Sequence, residues 1–235
     1  MIDEVRLPNP DAEEEKSEGL KDLVLAVVFC LVSVVLIRSF LVEPFKIPSS
    51  SMVPTLKIGD HIFVTKFQYG LFFPFTKWEF FRTGTPKRGE VIVFLFPKDE
   101  SLHYIKRVVG LPGDKVEFRG KDLHINGKLV EKVRVEDKAE IAKVMQGLPV
   151  QGELYRETLD GRIHYVRYHG GPEADYRRSS DLIEVPADSF FVAGDNRDDC
   201  VDSRSWGFVP RENVKGRAKR CAGSACSLLF ADLHC

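Results

Sequence analysis

Leu123-His124-Ile125-Asn126-Gly127-Lys128-Leu129-Val130 sets an Asn-Gly pair between two short runs of alternating character. That is the signal of a two-residue type I′ hairpin, because both central residues need positive φ and Asn and Gly adopt it at least cost. Leu159-Asp160-Gly161-Arg162-Ile163 repeats the signal with Asp-Gly. Working outward, Lys57 to Val64 reads as a turn followed by a strand, and Ile105-Lys106-Arg107-Val108 as a strand ended by the turn Gly110-Leu111-Pro112-Gly113. Phe190 to Ala193 is a further strand, turning at Gly194-Asp195-Asn196-Arg197. Outside an apolar N-terminal run, Ala139 to Gln146 is the one plausible short helix. Regular turns between alternating strands argue for an all-β fold, and no internal repeat is present.

The chain has 235 residues and a net charge of −1, enough for one sizeable domain or a small pair. That balance offers no electrostatic argument for nucleic acid. Asp11 to Glu18 is acidic and lacks large apolar side chains, so residues 1–21 are expected to be disordered. From Leu23 to Ile37 the residues are apolar apart from Ser33, and after Arg38 the run resumes as Ser39-Phe40-Leu41-Val42. About 20 residues cross a bilayer core, and Arg38 can snorkel at the far end, so 22–42 reads as a transmembrane anchor. A cleaved signal peptide is the other reading, but no small-residue cleavage site follows and Glu43-Pro44-Phe45-Lys46 leads straight into the next motif. Arg6, Lys16 and Lys21 before the segment are matched by Arg38, Lys46 and Lys57 after it, so charge does not orient the anchor.

The next motif is Ile47-Pro48-Ser49-Ser50-Ser51-Met52-Val53-Pro54-Thr55-Leu56. Three serines suggest a linker, yet prolines on both sides restrict the backbone and allow a hydroxyl to be held at a set angle. A serine hydroxyl becomes a useful nucleophile only when a base takes its proton. Lys106 is a candidate base if it points into an apolar interior, where burial favours the neutral amine. A Lys-Arg pair on a strand is, by itself, more often a solvated face.

Taken together, these motifs resemble the bacterial type I signal peptidases, the serine-lysine dyad family also called leader peptidases. Pro48 to Thr55 matches the nucleophile box and Tyr104 to Asp114 the lysine box, while Arg88 to Phe94 resembles the strand between them. Gly194-Asp195-Asn196-Arg197-Asp198-Asp199-Cys200-Val201-Asp202-Ser203-Arg204 resembles the last box, and the ordered match runs from about Arg38 to about Lys219. The resemblance implies an antiparallel catalytic β-core, 43–119 and 186–220, interrupted by a β-rich insertion at 120–185. It implies a serine endopeptidase that removes signal peptides, with Ser51 as nucleophile and Lys106 as general base. The Ser49 hydroxyl and the Ser51 N–H would form the oxyanion site, and Cys200, Asp202 and Arg204 would support it. No metal and no cofactor are expected. The implied partners are secreted precursors with Ala-x-Ala cleavage sites, the lipid bilayer and the secretion machinery. The implied location is the cytoplasmic membrane, single-pass, with the catalytic domain on the outer face.

Two segments depart from a simple reading. Phe67, Tyr69, Phe72, Phe73, Phe75, Trp78, Phe80 and Phe81 form an aromatic stretch that is either core or a contact with the headgroup boundary. The tail 221–235 is atypical for the resemblance, and whether Cys221, Cys226 and Cys235 form bridges cannot be read from spacing. Cys200 stands where the resemblance implies a serine that orients the lysine. A nearby amine would favour its thiolate, and a thiolate would return the lysine to its charged form. Alternatively, Cys200 pairs with a tail cysteine. Asp198, Asp199 and Asp202 cluster, but loop aspartates near arginines are usually turn and ion-pair residues, and no Cys-x-x-Cys spacing supports zinc. Two other classes of function remain open. One is a histidine-dependent hydrolase, for which no Gly-x-Ser-x-Gly elbow exists; the other is a non-enzymatic anchored β-domain, which would need no lysine box.

Overall fold

The computed structural model describes residues 21–33, 42–72, 79–149, 151–170 and 181–220. Its strands are β1 (Val42–Lys46), β2 (His61–Thr65), β3 (Leu71–Phe72), β4 (Glu79–Phe81), β5 (Val91–Phe96), β6 (Asp99–Gly110), β7 (Lys115–Arg119) and β8 (Asp122–Ile125). They continue as β9 (Lys128–Leu129), β10 (Lys132–Arg134), β11 (Glu153–Leu159), β12 (Arg162–Tyr168), β13 (Ile183–Glu184), β14 (Ser189–Ala193), β15 (Val209–Pro210) and β16 (Val214–Arg220). Helices α1 (21–33), α2 (Lys138–Met145) and α3 (Ser203–Trp206) accompany them.

A seven-stranded sheet in the order β1-β2-β16-β5-β6-β14-β15 carries the motifs. Strands β5 and β14 within it are apolar on both faces, as strands covered on two sides must be. In β14, Phe190 and Val192 enter one core cluster with Ile92, Phe94 and Val108, while Phe191 and Ala193 enter another with Val109, Val116 and Phe118. A third cluster joins Met52 and Leu56 of the serine loop to Ile62, Val64 and Val93. Full burial of side chains of this kind stabilises by about 1.5–3 kcal/mol each, so Met52 and Leu56 pin the loop to the sheet.

Both hairpin turns form as read. Asn126 and Gly127 sit at φ 53° and 75°, and Asp160 and Gly161 at 47° and 75°. Each closes a two-residue loop, pairing Ile125 with Lys128 and Leu159 with Arg162. The first hairpin belongs to a four-stranded sheet, β13-β7-β8-β9, and the second to a three-stranded sheet, β10-β11-β12. The four-stranded sheet takes β7 from before residue 120 and its other strands from after it. Helix α2 is capped by the Asp137 carboxylate on the Ala139 N–H and ends where Gln146 turns left-handed.

Among the described residues, no helix is long and apolar enough to cross a membrane. Helix α1 includes Lys21, and the expected anchor residues 34–41 lie outside the described residues. Val42, read as the end of the anchor, instead begins β1 and pairs with Thr65, because an extended partner strand satisfies its backbone. Residues 1–20 and the tail 221–235, with Cys221, Cys226 and Cys235, also lie outside. In the aromatic stretch, Tyr69 is core and donates to Glu90 Oε2 at 2.7 Å, whereas Phe67 and Phe81 are exposed. Phe73, Phe75 and Trp78 lie outside the described residues.

Candidate active site

The serine loop folds back on itself at Ser50 to Leu56, where the Val53 N–H donates to the Ser50 carbonyl at 3.0 Å and the Leu56 N–H to the Met52 carbonyl at 2.9 Å. Ser51 is thereby presented at the wall of a cleft of about 360 Å³ that Lys106, Asp199 and Cys200 also line. Lys106 Nζ lies 2.9 Å from Ser51 Oγ and donates to the Ile105 carbonyl at 3.0 Å. Ser49 Oγ lies 3.3 Å from Ser51 Oγ. Among the described residues the Ser51 N–H meets no protein acceptor, so it is available to a substrate oxygen.

Lys106 and Arg107 are both buried at 5% exposure, not a solvated face. Successive strand residues diverge, and each of these reaches a different point of the serine loop. Arg107 forks onto Asp195, with Nε to Oδ1 at 2.7 Å and Nη2 to Oδ2 at 2.6 Å, and Thr55 Oγ1 donates to the same carboxylate. Burial alone would raise the Asp195 carboxyl, but the charge and hydrogen bonds of Arg107 outweigh it and hold it below the usual range.

The last box locks the loop from the other side. The Asn196 N–H donates to the Ser51 carbonyl at 3.1 Å, and Ser50 Oγ donates to Asp199 Oδ2 at 2.9 Å. Gly194 permits this approach: a Cβ there would fall 2.5 Å from the Ser51 carbonyl oxygen and 2.3 Å from Cys200 Sγ. Asp202 caps α3 and forks with Arg204 through two contacts of 2.8 Å, while also accepting from the Gly194 N–H at 3.0 Å. Burial would raise the Asp202 carboxyl, but the Arg204 charge prevails and holds it low. Asp198 accepts from the Gly170 N–H at 2.9 Å, so each of the three aspartates is occupied with turn or ion-pair contacts.

The sequence model of the family described as "Signal peptidase, peptidase S26" matches residues 20–222. The chain belongs to this family. It is 42% identical over 198 residues to a signal peptidase I of Pseudomonas aeruginosa, covering 79% of this chain and 66% of that one. A signal peptidase I of Buchnera aphidicola is 32% identical over 259 residues, covering 93% of this chain and 82% of that one. The chain spans 66% of the length of the two Pseudomonas relatives it matches. A solved signal peptidase I from Enterococcus faecalis V583 is 28% identical, covering 57% of this chain and 96% of its own, at a TM-score of 0.34. At that score the two chains share too little global geometry for the likeness to bear on the fold.

Within this family member, Cys200 departs from its sequence reading. It is a free thiol, buried at 3% exposure, so it forms no bridge. Burial first, and then the charge of Asp202, push the thiol up to about 12 against the opposing pull of Lys106 and Arg204. The expected thiolate is therefore absent at neutral pH, because a buried anion beside a carboxylate costs more than the lysine returns. His103 is the histidine of the cleft lining, but Ser51 Oγ has Lys106 and Ser49 as its side-chain partners. Burial lowers the His103 pKa from its usual 6.5, with Lys215 and Lys66 adding to it against Glu43, so its ring is neutral at pH 7.

The last box is also tied to the three-stranded sheet by contacts the sequence did not announce. Arg167 and Asn196 form a parallel bridge, and the Arg197 N–H donates to the Arg167 carbonyl at 2.9 Å. Arg197 and Glu157, each 1% exposed, form a buried ion pair, with His164 Nε2 3.1 Å from the same carboxylate. Burial would raise Glu157, but Arg197 and then His164 hold it at about 2. Lys57 supplies a last tie, donating to the Met145 carbonyl at the end of α2 at 2.9 Å.

Proposed function

We propose that this chain is a membrane-anchored serine endopeptidase that removes signal peptides from secreted precursor proteins. The observation that carries the reading is the 2.9 Å approach of Lys106 Nζ to Ser51 Oγ in a cleft, with both side chains held by buried structure. A lysine in its neutral form takes the Ser51 proton as Oγ attacks the carbonyl carbon, and an acyl-enzyme forms when the amine leaves with that proton. Water then attacks the ester, one of its protons passing to Lys106 and on to Ser51 as the new carboxylic acid departs and ionises in solvent. The Ser51 N–H and the Ser49 hydroxyl face the developing oxyanion, the largest single term in most such reactions. Asp202 and Arg204 act by holding the last box against the serine loop, and Cys200 fills the space beside Lys106.

The division into a core of 43–119 and 186–220 and an insertion of 120–185 belongs to the same reading. So do a single anchor over the part of 22–42 that precedes β1, an outward-facing catalytic domain, contact with the bilayer and the secretion machinery, and small residues at the Ala-x-Ala positions of the substrate. The relatives' names support the substrate class. The test is to incubate detergent-solubilised full chain with a precursor and sequence the new N-terminus of the product. Cleavage immediately after the Ala-x-Ala segment is expected; an intact precursor, or scattered cleavage, overturns the proposal.

A further inference from the structure

Asp199 carries no chemistry in the reaction above, yet it is an exposed carboxylate in the wall of the reactive cleft. Both of its side-chain hydrogen bonds fall on one oxygen: Ser50 Oγ donates to Oδ2 at 2.9 Å and Asn196 Nδ2 to the same atom at 3.3 Å. Oδ1 accepts no hydrogen bond among the described residues. Lys106 does not pair with it either, since its Nζ is engaged with Ser51 Oγ and the Ile105 carbonyl. The cleft's imidazole, His103, is neutral at pH 7 because burial lowers its pKa. Among the described residues, the cleft therefore presents one oriented carboxylate oxygen with no positive partner.

Its position relates it to the scissile bond. Asp199 is held by Ser50, and the Cα of Ser50 lies about 3.8 Å from that of Ser51. An extended peptide advances about 3.3 Å per residue, so a carboxylate at this point faces side chains within about two residues of the bond that Ser51 attacks. We infer that Asp199 is a specificity-determining residue that favours substrates carrying a lysine or arginine within two residues of the cleaved bond. The inference rests on the peptidase reading of the site and adds to it a charge preference. A partly exposed ion pair of this kind is worth about threefold to fivefold in kcat/KM.

The experiment uses the full chain in detergent and a set of Ala-x-Ala peptides in which Lys, Gln or Glu is placed in turn at the three positions within two residues of the bond that the pattern leaves free, the x and the two residues after the bond. For at least one position, the parent is expected to cleave the Lys peptide about threefold to fivefold faster than the Gln peptide, and the Glu peptide more slowly still. Raising the salt concentration should shrink that ratio. Asp199→Asn keeps an acceptor for Ser50 Oγ and removes the charge, so it should bring the Lys-to-Gln ratio to about one while still cleaving the Gln peptide. A parent with no charge preference at any of the three positions overturns the inference. So does an Asp199→Asn variant that slows every peptide equally with the ratio unchanged, which is what a purely structural role predicts. If no peptide is cleaved, the peptidase reading has failed, and equilibrium binding of the same peptides to the Ser51→Ala chain still decides Asp199: tighter binding of the Lys peptide supports the inference and equal binding sinks it.

Discussion

Replacing Glu157 by Gln removes one half of a buried ion pair while keeping the side-chain shape. Arg197 and Glu157 are each 1% exposed, so the substitution leaves a guanidinium without a counter-charge in the interior. Two routes give the magnitude. Breaking a buried pair by removing one partner costs about 3–5 kcal/mol. Independently, the carboxyl lies at about 2 in the folded chain against an ordinary 4.5, and that gap is worth ~3 kcal/mol at neutral pH. The sign follows from the depressed value: the contribution is complete above the ordinary value and is lost as pH falls toward the folded one. For a chain of this size about 3 kcal/mol lowers Tm by about 6–12 °C. Thermal melting of parent and Glu157→Gln in the same detergent should show that gap at pH 7 and a smaller one at pH 3. Glu157→Leu with Arg197→Met should recover most of the loss, because two apolar groups leave no charge stranded. A single variant melting within about 2 °C of the parent at pH 7 would refute the reasoning.

Ser51→Ala and Lys106→Ala should each abolish precursor cleavage with little change in melting, and the double variant should be no worse than either, since members of one catalytic unit are non-additive; normal turnover by Lys106→Ala would end the dyad reading. Cys200→Ser should preserve or raise the cleavage rate, because a hydroxyl is a better hydrogen-bond partner than a thiol. With the Cys200 thiol pushed up to about 12, iodoacetamide at pH 8 should label it far more slowly than a free thiol in the unfolded chain; rapid labelling, read by mass spectrometry, would contradict its burial. Asp202→Asn should strand Arg204 and lower both Tm and kcat, with stability at pH 3 closer to that of the parent, because the depressed carboxyl contributes above its unfolded value and loses that contribution in acid. An Asp202→Asn deficit that grows as pH falls would reverse that sign.

Local chemistry was legible from the chain alone. The Asn126-Gly127 and Asp160-Gly161 turns have the φ values that those residues permit, and the helix read over Ala139 to Gln146 is observed one residue earlier, at Lys138–Met145. These features depend on neighbours within a few positions, which a sequence displays directly. Ser51 and Lys106 were legible as a pair through the family resemblance, because their spacing of 55 residues has no periodic meaning. What the tertiary structure alone decided was the burial of charge. A Lys-Arg pair on a strand is by itself more often a solvated face, but here the strand turns Lys106 to Ser51 and Arg107 to Asp195, 88 residues away. Arg197 finds Glu157 across 40 residues, and Asp199 meets Ser50 across 149. Charge complementarity carries no period, and any arginine could serve any carboxylate until the sheets dock. Docking removes water from some of these groups and leaves others at the cleft, and that difference turns similar side chains into core ties, a partner for Ser51 or a wall of the cleft.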